Sequence, residues 1–440
     1  MKNKQRKSAI KPIKIKKAFS GKRITKYSGL EPIMHYIRAT GIIKMVETLF
    51  PSKIYNATKH TNTQILLSIV LSSLSNINRM CRIENFTSDV LVEKLLNLIN
   101  RIDANTISTR IKQLGQAGAI TLQEGVFPIV SRWIEKSNLK KLTIDMDSTV
   151  SGVYGSQEGS AKGYNPVKKG QRSYHNLLCF ASEIKLVLNS WFRDGSAYTS
   201  NGACAFMKQT LAVLPKSIKK VFVRCDSGFF DGKLFDLLEQ RGHDYLVKVK
   251  LKNLYTLLKT QQWEAVDEKT SQTSFDYQCN GWKKSRKLKA VRILVEYQYV
   301  KMFEAVTKVP VYDYYCYCSN IEAFSGVELH RLYKKRGESE NWIEQAKNQL
   351  LASKTLTQSF HANDILWQLS ILAYNISVMM RYETNLKFWH QEHKTFREWF
   401  IELPGKVIDS GRQIKLKMYE NYYHKANWLE VDEKISLMTA

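Results

Sequence analysis

Lys141–Val150 reads KLTIDMDSTV and Lys219–Phe230 reads KKVFVRCDSGFF. The first run alternates apolar and polar residues with the two-residue period of a half-buried strand, which places Asp145 and Asp147 on one face. The second is β-rich and stops at Asp226, Ser227 and Gly228, a turn-forming triplet. Aspartates beside glycine at strand ends commonly do no more than bond their own backbone. The other reading is chemical: a nuclease that works with two cations needs a few carboxylates from separate elements, holding the ions about 3.5–4 Å apart. Residues 140–250 alternate strand-like and helix-like runs around these two segments, the pattern of an α/β core.

A third acid stands in Tyr333–Lys347, where Tyr333, Arg336, Glu340 and Lys347 follow the pattern Y-x2-R-x3-E-x6-K. At roughly 100° per helical residue, these offsets bring all four side chains within about 60° of arc. One stripe would then offer a carboxylate for a divalent cation, flanked by a guanidinium and an ammonium for phosphate oxygens. Taken alone, the stripe equally describes a solvated face of ordinary ion pairs. A helix beginning only after Gly337 would drop Tyr333 and Arg336 from it.

The run DST at Asp147–Thr149, the run RCDSGFF at Arg224–Phe230 and the Y-R-E-K stripe resemble, in this order, the three acidic motifs of DDE transposases of bacterial insertion sequences. KGYNPVKKGQRSYHNLL at Lys162–Leu178, FRDGSA at Phe192–Ala197 and LAYNISVMMR at Leu372–Arg381 resemble further blocks of that family, and the likeness covers roughly residues 30–385. The resemblance implies a ribonuclease-H-like α/β catalytic core in which Asp147, Asp226 and Glu340 are the catalytic metal ligands. It prefers Asp147 to Asp145, which strand parity leaves undecided, and Glu340 to Glu338. It further implies two Mg2+ ions, with Mn2+ as a substitute, and Tyr333, Arg336 and Lys347 as DNA-binding residues that position phosphates. The implied partners are double-stranded DNA, as element ends and as target, and a second copy in a homodimer assembled on DNA. The implied activity is cut-and-paste transposition; the alternative is a DNA-binding regulator derived from a transposase that no longer cleaves.

The stretch between Asp226 and Glu340 is longer than that between Asp147 and Asp226, and Glu264–Tyr317 is strand-like and rich in aromatics. This predicts a basic flexible arm over 1–29, a helical DNA-binding domain over 30–135, the first part of the core over 140–250 and an inserted β-domain over 251–325. The final part of the core, with Glu340, follows over 326–385, and a helical tail suited to dimerisation over 386–440. Within the insertion, Trp282 with Lys283, Lys284 and Arg286 suits base stacking and phosphate contact, or a core aromatic. IDANTISTRIKQLG at Ile102–Gly115 predicts a short helix capped by Asn105 or Thr106 and bearing Arg110 and Lys112, fit for groove recognition or plain packing.

With 67 Lys and Arg against 40 Asp and Glu, the formal charge is +27, an excess that favours a polyanionic partner. It is densest at the N-terminus, where eleven basic residues from Lys2 to Lys26 precede the first acid, Glu31. That arm lacks the apolar core of a secretory signal. The apolar runs Ile65–Leu74 and Ile365–Met380 are too short, or too interrupted by Gln368, Ser370, Asn375 and Ser377, to span a bilayer; they predict buried helices. Seven cysteines without paired spacing predict reduced thiols, and the C-x-C pair Cys316 and Cys318 has no neighbouring ligands for a zinc site. His390 and His393 are expected at the surface, without metal partners. These features together predict a cytoplasmic, nucleoid-associated bacterial protein.

Overall fold

In the computed structural model the KLTIDMDSTV run becomes the strand Lys141–Gly152, from which the main sheet is built outward. It pairs in parallel with Lys220–Cys225 and antiparallel with Arg172–Ala181. Leu186–Trp191 lies beyond Arg172–Ala181, and Asp244–Lys248 lies parallel beside Lys220–Cys225. The structure describes residues 15–19, 21, 23–52, 59–163, 165, 168–302, 305–384, 389–411 and 413–439. Among these, ten strands form one mixed sheet, so the expected mixed α/β architecture is present. The parallel ladder of the first two strands ends at Met146 opposite Cys225. Asp147 and Asp226 are the next residues of each chain, at the carboxyl end of the ladder, where open α/β sheets place their ligands.

The helix Phe360–Thr384 explains its own mixed sequence. It is buried along almost its whole length, packed against Asn62–Leu74 and Ala104–Lys136, so an apolar face all round is required. Its polar interruptions bond the neighbouring strand Leu186–Trp191. Asn375 accepts from the Val187 amide at 2.9 Å and donates to the Val187 carbonyl at 2.8 Å. Gln368 accepts from the Ser190 hydroxyl at 3.0 Å. Those side chains satisfy backbone and hydroxyl groups that burial would otherwise leave unpaired.

Several expectations are corrected. The strands of 251–325 are continuous with the core sheet: Ala305–Ser319 pairs antiparallel with Asp244–Lys248, then with Arg286–Met302 and, through it, Thr270–Tyr277. Trp282 packs on Phe230 and Phe235 with ring centroids 5.2 and 5.6 Å away. Arg286 is buried in ion pairs with Asp236 and Glu239 at 2.6 and 2.9 Å, so Trp282 and Arg286 join the 251–325 strands to the core, while Lys283 and Lys284 are exposed. Residues 386–440 are not wholly helical. Gly405–Ser410 and Gln413–Met418 form a hairpin, consistent with the period-two alternation of Ile414, Leu416 and Met418 with lysines, and Lys425–Thr439 is a helix. The hairpin also takes in the end of the basic arm, since Ile24–Thr25 pairs with Gly405 and Lys406; residues 1–14 lie outside the described residues.

A second helical run continues to Lys136 beyond Gly115, whose φ of 57° and ψ of −156° end the short helix that starts at Ala104 within Ile102–Gly115. The cap of that short helix is Asp103, whose carboxylate accepts from the Thr106 amide at 2.8 Å; a carboxylate there satisfies an orphan amide and suits the helix dipole. His393 is fully buried, bonded to Ser377 at 2.7 Å and to the Leu74 carbonyl at 2.9 Å, which ties the C-terminal region to the N-terminal helices.

Candidate active site

The two aspartates of KLTIDMDSTV share a strand face but have different surroundings. The register sets Asp145 opposite Arg224, and the guanidinium grips it with two bonds of 2.7 Å. Asp145 is fully buried and also accepts from the Ser182 hydroxyl, so its lone pairs are committed to a structural ion pair. Two residues on, Asp147 is 7% exposed and stands beside Asp226 at the end of the ladder. Burial pushes its carboxyl up to about 6, with Arg336 opposing the rise and the Asp226 and Glu340 charges adding to it.

Asp226 caps the short 3-10 turn Ser227–Phe229 and accepts from the Gly228 amide at 2.9 Å. A side chain at Gly228 would sit 2.7 Å from Thr199 Cγ2 and 3.1 Å from Asp226 Oδ1, so glycine is required where this turn meets the Phe192–Thr199 loop. That loop was not identified as part of the site by residue type. Thr199 Oγ1 lies 3.5 Å from both the Ser148 hydroxyl and His175 Nε2. Arg193, buried, donates to the carbonyls of His175, Tyr198 and Asn201 at 2.7–3.2 Å and fixes the loop's path. A buried arginine followed by Asp-Gly in a loop was the available signal.

The Y-R-E-K segment is not one regular α-helix. Gly326–Lys334 gives way to a 3-10 turn at Lys335–Gly337, an α-helix at Glu338–Glu344 and a π-helical turn at Gln345–Gln349. Changes of helical pitch displace side chains from the stripe that a constant 100° predicts. Arg336 is buried, with Nη2 3.1 Å from Asp147 Oδ2 and Nη1 3.7 Å from Glu340 Oε1. Burial disfavours its charge, but Asp147, Tyr333 and Asp226 outweigh that and hold it above its ordinary range. The Glu340 side chain is 72% exposed. Lys347 turns inward, donating to Thr149 Oγ1 at 2.9 Å and to the Val150 carbonyl at 2.8 Å. Tyr333 has its ring 5.8 Å from the Arg336 guanidinium, and burial pushes its phenol up to about 12. All six residues of the expected site therefore belong to one neighbourhood, but Arg336 and Lys347 bond protein groups.

The match to the family described as Transposase DDE domain group 1 spans residues 7–440. The chain belongs to the DDE transposase family. No curated protein matches it. Among solved structures, this DDE-family chain is similar to the piggyBac transposase synaptic complex with hairpin DNA, at 15% identity and a TM-score of 0.46, covering 86% of this chain and 81% of that one. Divalent cations are general in the family, and the donors here are carboxylate oxygens, the type that hard cations take. Among the described residues no three acidic, His or Cys side chains stand close enough together to hold a metal ion, and the Glu340 side chain is largely exposed. Asp147 nevertheless fits a cation site: its buried carboxyl already carries a positive partner in Arg336. No helix among the described residues is long and apolar enough to cross a membrane.

Proposed function

We propose that this chain is a cut-and-paste DNA transposase that binds the ends of its insertion sequence, cleaves them and joins them to target DNA. The observation that carries the reading is the placement of Asp147 and Asp226 as adjacent residues beyond the last parallel pair, Met146 and Cys225, with Arg336 bridging Asp147 to Glu340. Asp147, Asp226 and Glu340 would hold two Mg2+ ions. When bound, such ions lower the pKa of the attacking water and stabilise the leaving oxygen. The chain's own part is orientation. The parallel ladder brings Asp147 and Asp226 to neighbouring positions at its carboxyl end, and Lys347 ties the Glu340 segment to the Asp147 strand. Arg336 supplies positive charge beside the scissile phosphate. The freed 3′-hydroxyl then attacks target DNA at the same site. In this reading the 30–135 helices with the basic arm carry DNA, and a homodimer presents one acid triad to each element end.

In purified protein, Asp147→Ala, Asp226→Ala and Glu340→Ala should each abolish Mg2+-dependent cleavage of element-end DNA while end binding stays within about tenfold of wild type, since each removes a ligand and no major DNA contact. Cleavage near the wild-type rate by any one of the three would remove that residue from the site. Wild-type protein that binds ends and never cuts them would favour the regulator.

A further inference from the structure

Both oxygens of Asp147 are in contact with protein donors. Its Oδ1 accepts from the Ser148 amide at 2.9 Å and its Oδ2 forms an ion pair with Arg336 Nη2 at 3.1 Å. The same guanidinium reaches Glu340 at 3.7 Å and is drawn by the charge of Asp226, so one monovalent cation serves all three acids. Its Nε, also buried, donates to no acceptor among the described residues, so the side chain is held by the carboxylates and not by a complete hydrogen-bond cage. A divalent cation on Asp147 and Glu340 would stand within a few ångströms of the guanidinium, where like charges repel strongly in a partly buried site.

The backbone is built to let that contact break. Arg336 lies in the 3-10 turn Lys335–Gly337, and Glu340 in a seven-residue helix bounded by that turn and the π-helical turn Gln345–Gln349. Mid-helix 3-10 turns often mark a hinge or a sequence under strain. No atom lies within 4 Å of where a Gly337 side chain would be, so the hinge has open space. The far end is fixed by Lys347 on Thr149 and Val150. Glu340, exposed, is free to turn inward once the guanidinium leaves.

We infer that Arg336 is a guard cation: it occupies the place of a divalent metal between Asp147 and Glu340 in the DNA-free protein and competes with metal binding. The inference rests on the acid site proposed above and adds a regulatory role to a residue expected only to position phosphate. It makes the resting protein a poor binder of metal, hence a poor nuclease, until the guanidinium is drawn off.

The test is Mn2+ binding to the purified full-length chain without DNA, read as loss of the free Mn2+ electron-paramagnetic signal. Arg336→Gln should bind Mn2+ about tenfold more tightly than wild type or better, because a full charge is removed beside the ion. Arg336→Lys, which keeps the charge but cannot bridge two carboxylates, should fall between the two. Asp147→Asn should lose the binding. If both Arg336 variants bind no more tightly than wild type while Asp147→Asn loses binding, the guard role is wrong and the acid site stands. Binding that survives in Asp147→Asn overturns the acid site and the guard role together. If Arg336→Gln does not fold, Arg336→Lys against wild type decides alone.

Discussion

Asp145 and Asp147, two residues apart on one strand, should respond to the same substitution with opposite signs. Burial holds the Asp147 carboxyl at about 6 against an ordinary 3.8. A tenfold change in acid strength is worth about 1.4 kcal/mol, so keeping Asp147 ionised in the folded state costs about 3 kcal/mol. The unfolded chain ionises first as pH rises. The contribution is therefore fully favourable below about pH 4, is lost between about pH 4 and 6, and stays lost above. Asp147→Asn keeps the shape and the Ser148 contact while removing the charge and its pair with Arg336; because that attraction is already contained in the net rise to about 6, the variant should melt above wild type at pH 7.5 in chelator. That advantage should shrink towards zero at pH 4.

Asp145→Asn does the reverse. It leaves Arg224, 4% exposed, without the carboxylate that receives both its 2.7 Å bonds, and breaking a buried pair from one side costs about 3–5 kcal/mol. Thermal melts of wild type and the two variants at both pH values decide the matter. If Asp147→Asn lowers the melting temperature at pH 7.5 as Asp145→Asn does, or if its gain is the same at both pH values, the assignment of Asp147 as a strained site residue and Asp145 as a structural one is refuted.

Lys347→Met should cost about 1–3 kcal/mol of stability through the lost bonds to Thr149 and Val150 and slow cleavage with end affinity unchanged; a fall in affinity with a shallower salt dependence would instead make Lys347 a direct phosphate contact. Removing residues 1–20, which leaves the paired strand Ile24–Thr25 intact, should weaken binding to all duplexes alike and flatten the salt dependence, because lysine ammoniums address phosphates rather than base edges. Loss confined to element ends would show that the arm reads sequence.

The strands were legible because alternation is a local signal, and the long buried helix because its apolar residues fill every face. What the sequence left open was register. Asp145 and Asp147 have the same parity, and so do Arg224 and Asp226; only the pairing of Asp145 with Arg224 neutralises one aspartate and leaves the other next to Asp226. An arginine two residues before an aspartate, matched to two aspartates spaced by two, was the trace of that arrangement in the text. The Y-R-E-K stripe failed as a geometric argument for a different reason: constant helical pitch is an assumption, and the 3-10 and π turns on either side of Glu338–Glu344 break it. The same breaks that spoil the stripe turn Arg336 inward and Glu340 outward. A rigid α-helix would hold both side chains in one orientation, whereas a segment hinged at the Lys335–Gly337 turn and anchored beyond it by Lys347 can keep its acid away from its partners until a ligand alters the balance of charge.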